Sequence, residues 1–126
     1  MFGKLPLSTF VITKVAVNSV AAGKAIFRVP FACTIKAMTV AVDATSVGAS
    51  QIFDIHKNGT TIFTTQASRP TVAAAAVSAS VALPDVTTLV AGDVLTVDCD
   101  QVGSSTAGTG FTIAIAVLPT GLRGYY

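Results

Sequence analysis

Glutamate and tryptophan are absent from this sequence, and ionisable side chains of any kind are scarce. Asp, Lys and Arg together make up 11% of the 126 residues, against about 25% in an ordinary soluble domain. Exposed helical faces favour Glu and Lys, so their shortage argues against helices, while the abundance of Val and Thr argues for strands. A net charge of +2, with the eight basic residues scattered along the chain, argues against an electrostatic nucleic-acid binder. No apolar run approaches the ~18 residues of a membrane span. No secretory signal is visible either, because Pro6 and Lys14 interrupt the apolar stretch after Lys4. Synthesis in a cytoplasm, with neither nucleic acid nor membrane as partner, is the expectation. Cysteine is limited to Cys33 and Cys99, which lie in no CxxC. A disulfide and two buried thiols are both open, and the second is favoured because Cys behaves as a small core residue.

What is present is mostly Ala, Val, Thr and Ser, in a length that fits one domain. Folding at this size buries roughly two thirds of the surface of the unfolded chain, enough for one core. With so few charges to cover it, a lone monomer would expose much Ala, Val and Thr. Contiguous apolar surface of that kind marks an interface, so an obligate assembly is expected.

Along the chain, residues 1–8 read as an arm because Gly3 and Pro6 discourage regular structure. Strands are expected over 9–17, 24–30 (closed by Pro30) and 33–43, with a loop over 45–50. The segment QIFDIHKNGTTIFTT, residues 51–65, carries the strongest local signal. Phe53 and Ile55 point to one side and Asp54 and His56 to the other, because successive strand residues alternate. Asn58-Gly59 then supplies two residues that tolerate positive φ, as a type I′ hairpin requires. Residues 71–83 are ambiguous. Four consecutive alanines favour a helix, yet the shared parity of Val77, Val81 and Leu83, with Ser78 and Ser80 on the other, favours a strand. Residues 83–93 form a connection with room for a helical turn. In 93–100, Leu95, Val97 and Cys99 face inward. A Gly- and Ser-rich loop over 101–110 precedes the last strand, 111–119, with Phe111, Ile113, Ile115 and Val117 on one face, and 120–126 is a tail. Seven or eight short strands separated by Gly, Pro and Ser turns predict an all-β fold, an antiparallel β-sandwich of jelly-roll type over residues 9–119.

Candidate chemistry is thin. His56 is the sole histidine; a triad needs an activated Ser or Cys beside it, and a zinc site needs companion ligands. The residue is expected to be a plain surface or turn histidine. Asn58-Gly59-Thr60 also matches the N-glycosylation pattern, but hairpin geometry already accounts for Asn and Gly. Asp98 and Asp100 project from one face and are weak candidates for calcium, although no calcium-loop spacing follows. The Gly-Asp pair at 92–93 is more simply turn chemistry. GSSTAGTG, residues 103–110, lacks the Lys of a phosphate loop. Arg69 is placed to pair with one of the acidic residues. No catalytic constellation and no cofactor site emerge, so enzymatic activity is not expected.

Four segments, FDIHKNGTTIF, SRPTV, LVAGDVLTVDCDQVG and AGTGFTIAIAV, taken in this order and at these separations, resemble a group of small jelly-roll proteins of tailed bacteriophages. The group comprises head decoration (cementing) proteins, head fibres and related tail-fibre domains, and the likeness spans roughly residues 51 to 118. The resemblance implies a homotrimer on the outer surface of a virion, clamping subunits of the major capsid protein. Multivalent engagement of that kind slows release even where each contact is weak. The alternative it leaves open is a tail-fibre or head-fibre module recognising host surface carbohydrate, against which stand the missing Trp and the presence of Tyr only at the C-terminus. Tyr and Arg are enriched at interface anchors, so Phe2, Lys4, Leu5, Arg123, Tyr125 and Tyr126 are the expected contacts with the shell or a neighbouring trimer.

Overall fold

The computed structural model describes residues 7–120, which form ten strands and a single 3₁₀ turn, Gln66–Ser68. In chain order the strands are β1 (Ser8–Val17), β2 (Ala21–Arg28), β3 (Cys33–Ala41), β4 (Gln51–Lys57), β5 (Thr60–Thr61), β6 (Thr71–Val72), β7 (Ser78–Val81), β8 (Thr88–Leu89), β9 (Val94–Gln101) and β10 (Thr109–Pro119). They form two antiparallel sheets packed face to face, an all-β sandwich. Sheet I runs β1-β10-β3-β7, with β8 also paired to β3; sheet II runs β2-β9-β4-β5, with β6 also paired to β4. The arm and tail residues 1–6 and 121–126, with all six expected shell contacts, lie outside the described residues.

Period-two patterning builds the core. Leu95, Val97 and Cys99 from β9 and Phe111, Ile113, Ile115 and Val117 from β10 are buried in one cluster, as their parity predicts. Two aromatic clasps join the sheets. Phe53 of β4 meets Phe111 of β10 at 5.1 Å between ring centroids, and Phe10 of β1 meets Phe27 of β2 at 4.8 Å. Aromatic pairs at such separations add about 0.5–1.5 kcal/mol beyond their buried area. The cysteines are free and buried, one in each sheet.

Three expectations need correction. Residues 71–83 do not form one strand. Residues 71–72 pair with β4 in sheet II and 78–81 with β3 in sheet I, and between them Ala75 takes a φ of 67°. The alanines form no helix because a run of four cannot offset helix nucleation, and the Ala75 N–H instead donates to the Ser46 carbonyl at 3.0 Å. Within β7 the expected alternation holds, with Ser78 and Ser80 exposed and Val81 packed on the core beside Ala79, whereas Val77 and Leu83, of the same parity, lie outside the strand and are half exposed. The second correction concerns 83–93, which contains the short strand β8 rather than a helical turn. The return strand after the hairpin is also shorter than 60–65, because the chain leaves β4 after Thr61.

Register sorts the loops into two poles. Ser8 lies opposite Val117, Cys33 opposite Pro119, Arg28 opposite Val94 and Lys57 opposite Leu95. One pole therefore collects Leu7, Pro30–Ala32, the hairpin tip, Val90–Asp93 and Thr120. The other collects the β1–β2 connection and the loops around 42–50, 73–77 and 102–108. A buried polar knot ties this second pole. Asn18 Nδ2 donates to Gln51 Oε1 at 2.6 Å and to the Gly110 carbonyl at 2.9 Å, and the Asn18 N–H donates to the Gly108 carbonyl at 3.0 Å. Gly108, at a φ of 95°, leaves the space that the Gln51 amide occupies, and a Cβ there would overlap it. Gly108→Ala is expected to lower stability by about 2–4 kcal/mol, combining left-handed strain with the displaced buried amide, measurable by urea denaturation; a loss under half a kcal/mol would contradict the knot.

Candidate functional site

The polar side chains of sheet II gather on its outer face, where β4 and β9 place Asp54 directly opposite Asp98 and His56 opposite Thr96. Like charges opposite each other across strands are destabilising, and His56 lies between these two. Its Nδ1 is 2.9 Å from Asp98 Oδ2 and its Nε2 is 3.9 Å from Asp54 Oδ2. Asp98 Oδ1 also accepts the Gly23 N–H at 2.8 Å, at the irregularity where β2 shifts register against β9. Asp98 thus joins all three strands β2, β9 and β4.

Asp54 is nearly buried although it points away from the core. The chain that loops out after β5 covers it, and it accepts hydrogen bonds from Thr61 Oγ1 at 2.7 Å, from its neighbour's Ile55 N–H at 2.8 Å and from Gln66 Nε2 at 3.4 Å. Nothing in the local pattern marks Asp54 as covered; only the Gln66 turn does. Arg69 meets Asp100 at 2.7 Å, as its position suggests, a surface pair worth at most about 1 kcal/mol.

This arrangement links strands β2, β9 and β4 through the side chains of His56 and Asp98. Both imidazole nitrogens face carboxylates, and among the described residues no hydroxyl or thiol hydrogen-bonds to His56. Burial pushes both thiols up, with Asp93 adding to the effect at Cys33 and the hydrogen bond to the Gln101 carbonyl and the Lys24 charge partly opposing it at Cys99. Asp98 and Asp100 share a face, but each carboxylate is engaged by a different partner. Among the described residues no three His, Cys, Asp or Glu side chains group as a metal site would require. An open depression of about 210 Å³ lies beside the histidine, lined by Ala22, Gly23, His56, Gly59, Thr96 and Asp98. It falls below the ~300–1,000 Å³ of ordinary ligand clefts.

The hairpin tip answers to structure too. Asn58 and Gly59 have φ values of 52° and 90°, both positive as a type I′ turn requires. Asn58 Oδ1 accepts the Val94 N–H and its Nδ2 donates to Asp93 Oδ1, both at 2.9 Å, so the tip is fastened to the start of β9. Asp93 Oδ2 accepts the Val90 N–H at 2.9 Å, the turn chemistry expected of Gly92-Asp93. Sequence reading missed the buried polar trio Asn18, Ser46 and Gln51. The available signals were Asn18 at the end of a strand and Gln51 before Phe53 on a strand of inward parity.

The chain matches no protein-family model, no curated protein sequence and no solved structure.

Two outcomes check this description. The Val90 N–H, partly opposed by burial and aided by the Asn58 amide, holds the Asp93 carboxyl below its ordinary value. A carboxylate depressed on folding stabilises fully above its unfolded pKa of about 4, and that contribution is lost as pH falls through the folded value. Asp93→Ala is expected to cost about 1–2 kcal/mol at pH 7 and to flatten the fall of stability on acidification below about pH 4; an unchanged acid limb would refute the assignment. A thiol reagent such as DTNB should leave Cys33 and Cys99 unmodified in the native protein and label both in guanidinium; rapid labelling of either without denaturant would show an open core.

Proposed function

We propose that this protein is a structural component of a tailed-phage virion, a jelly-roll module that binds the outer capsid surface as a homotrimer, without enzymatic activity. The strand orders support the jelly-roll reading. If β5 with β6 and β7 with β8 are each taken as one broken strand, the sheets run first-last-third-sixth and second-seventh-fourth-fifth. That order arises when a long antiparallel hairpin folds over itself into two Greek keys.

The single observation that carries the functional reading is the surface of one copy. Ten large apolar side chains, from Leu7 to Val90, are at least half exposed among the described residues. Among the described residues two long strands, β1 and β2, end their sheets with one edge unpaired, a feature that soluble monomers normally shorten or charge. The far flank is blunted in this way by the short strands β5 to β8. A chain poor in charge, with open apolar edges, is suited to burial against neighbours. Leu7 and Thr120 share one pole, and on this reading Phe2, Lys4, Leu5, Arg123, Tyr125 and Tyr126, which adjoin them in sequence, bind a single partner surface.

Light scattering on the purified protein should give three times the chain mass, and the protein should bind saturably to undecorated shells of the phage that encodes it. Deletion of residues 121–126 should weaken that binding at least tenfold. A monomer that ignores shells and instead blocks phage adsorption to host cells would favour the receptor-binding alternative.

A further inference from the structure

Among the described residues, the pole opposite Leu7 and Thr120 is poor in charge. Its four segments, 15–22, 44–50, 73–78 and 102–109, contain no Asp, Glu, Lys, Arg or His. Lys14, Lys24, Asp43 and Asp100 flank these segments, and Lys24 Nζ reaches in to donate to Ser19 Oγ at 2.9 Å. Five valines stand out from it, Val15 at 81% exposure, Val17 at 67%, Val20 at 63%, Val77 at 53% and Val47 at 50%. The loops are braced rather than loose. The Ser46 carbonyl accepts the Ala75 N–H, the Val47 N–H donates to the Thr106 carbonyl, the Ser105 N–H donates to the Val47 carbonyl and the Asn18 N–H reaches the Gly108 carbonyl, all at 3.0 Å. Beneath them the knot of Asn18 and Gln51 leaves no buried side-chain polar atom unpaired among the described residues. A platform already held in shape loses little entropy when it is covered.

We propose that this loop pole, with the adjoining end of β1, is the surface by which copies of this chain bind one another. The inference rests on the self-assembly proposed above and assigns it a location. Charge selects the occupant. Nucleic acid and acidic membrane surfaces need clustered cations, and the only ammonium bonded to these segments among the described residues is that of Lys24. A second copy brings an equally charge-poor surface, so few ions are desolvated on either side, whereas contact through the outer face of sheet II would bury His56, Asp98 and Asp100. The four segments also match in number the ~20–30 residues that a stable interface takes from each partner.

The test measures mass by light scattering across a hundredfold concentration range for the wild type, for the double variant Val20→Asp with Val47→Asp, and for Val90→Asp at the other pole. The double variant is expected to shift dissociation to at least a hundredfold higher concentration with an unchanged far-UV spectrum, and Val90→Asp to assemble like the wild type. V47C and V90C supply a measurement independent of charge: alkylation of V47C should slow at least tenfold on assembly, and that of V90C should not. An assembled wild type whose double variant stays assembled, with V47C freely alkylated, overturns the location while leaving self-assembly intact. A wild type that is monomeric throughout overturns both.

Discussion

Closure of the two sheets over one another is the constraint from which the rest follows. The chain places consecutive strands β1 and β2 in opposite sheets, so Phe10 and Phe27 meet across the sandwich, and Phe53 and Phe111 do the same nearer the other pole. Crossing from one sheet to the other at Asn18 forces a polar residue into a buried corner. Its amide must find partners or cost about 1–3 kcal/mol, and Gln51 and the Gly110 carbonyl provide them. The absence of a Cβ at Gly108 is the steric condition for that solution.

Closure also divides the outside into regions of different chemistry. The outer face of sheet II receives Asp54, His56, Asp98 and Asp100 because alternate residues of β4 and β9 must point away from the core. There the histidine sits between carboxylates from adjacent strands, which suits it to cross-linking a sheet and leaves neither ring nitrogen directed at a nucleophile. The loop pole receives little of the charge, its segments meeting among the described residues only the Lys24 ammonium, at Ser19.

Much of the fold was legible because its signals are local. The Asn58-Gly59 turn, the inward set Leu95, Val97 and Cys99 and the inward set from Phe111 to Val117 depend only on φ preference and period-two alternation. That Arg69 would pair with an acidic residue was anticipated from residue types, and the structure makes that partner Asp100. Residues 71–83 were misread where two non-local demands competed. Residues 71–72 complete the edge of β4 and 78–81 the edge of β3, so the segment must change sheets, and Ala75 turns through positive φ to allow it. Asp54 was placed on the correct side of its strand, but its burial comes from the Gln66 turn, which no feature of its neighbours indicates.

The amino-acid sequence by itself determined strand character, the hairpin and the two faces of each long strand, since these rest on the preferences of adjacent residues. It also determined that ionic side chains would be too few to cover the surface. Only the tertiary structure decided which strands end their sheets, which loops share a pole and which carboxylates face the histidine. Those relations are set by pairings between distant segments, such as β1 with β10, whose register no short stretch of chain encodes.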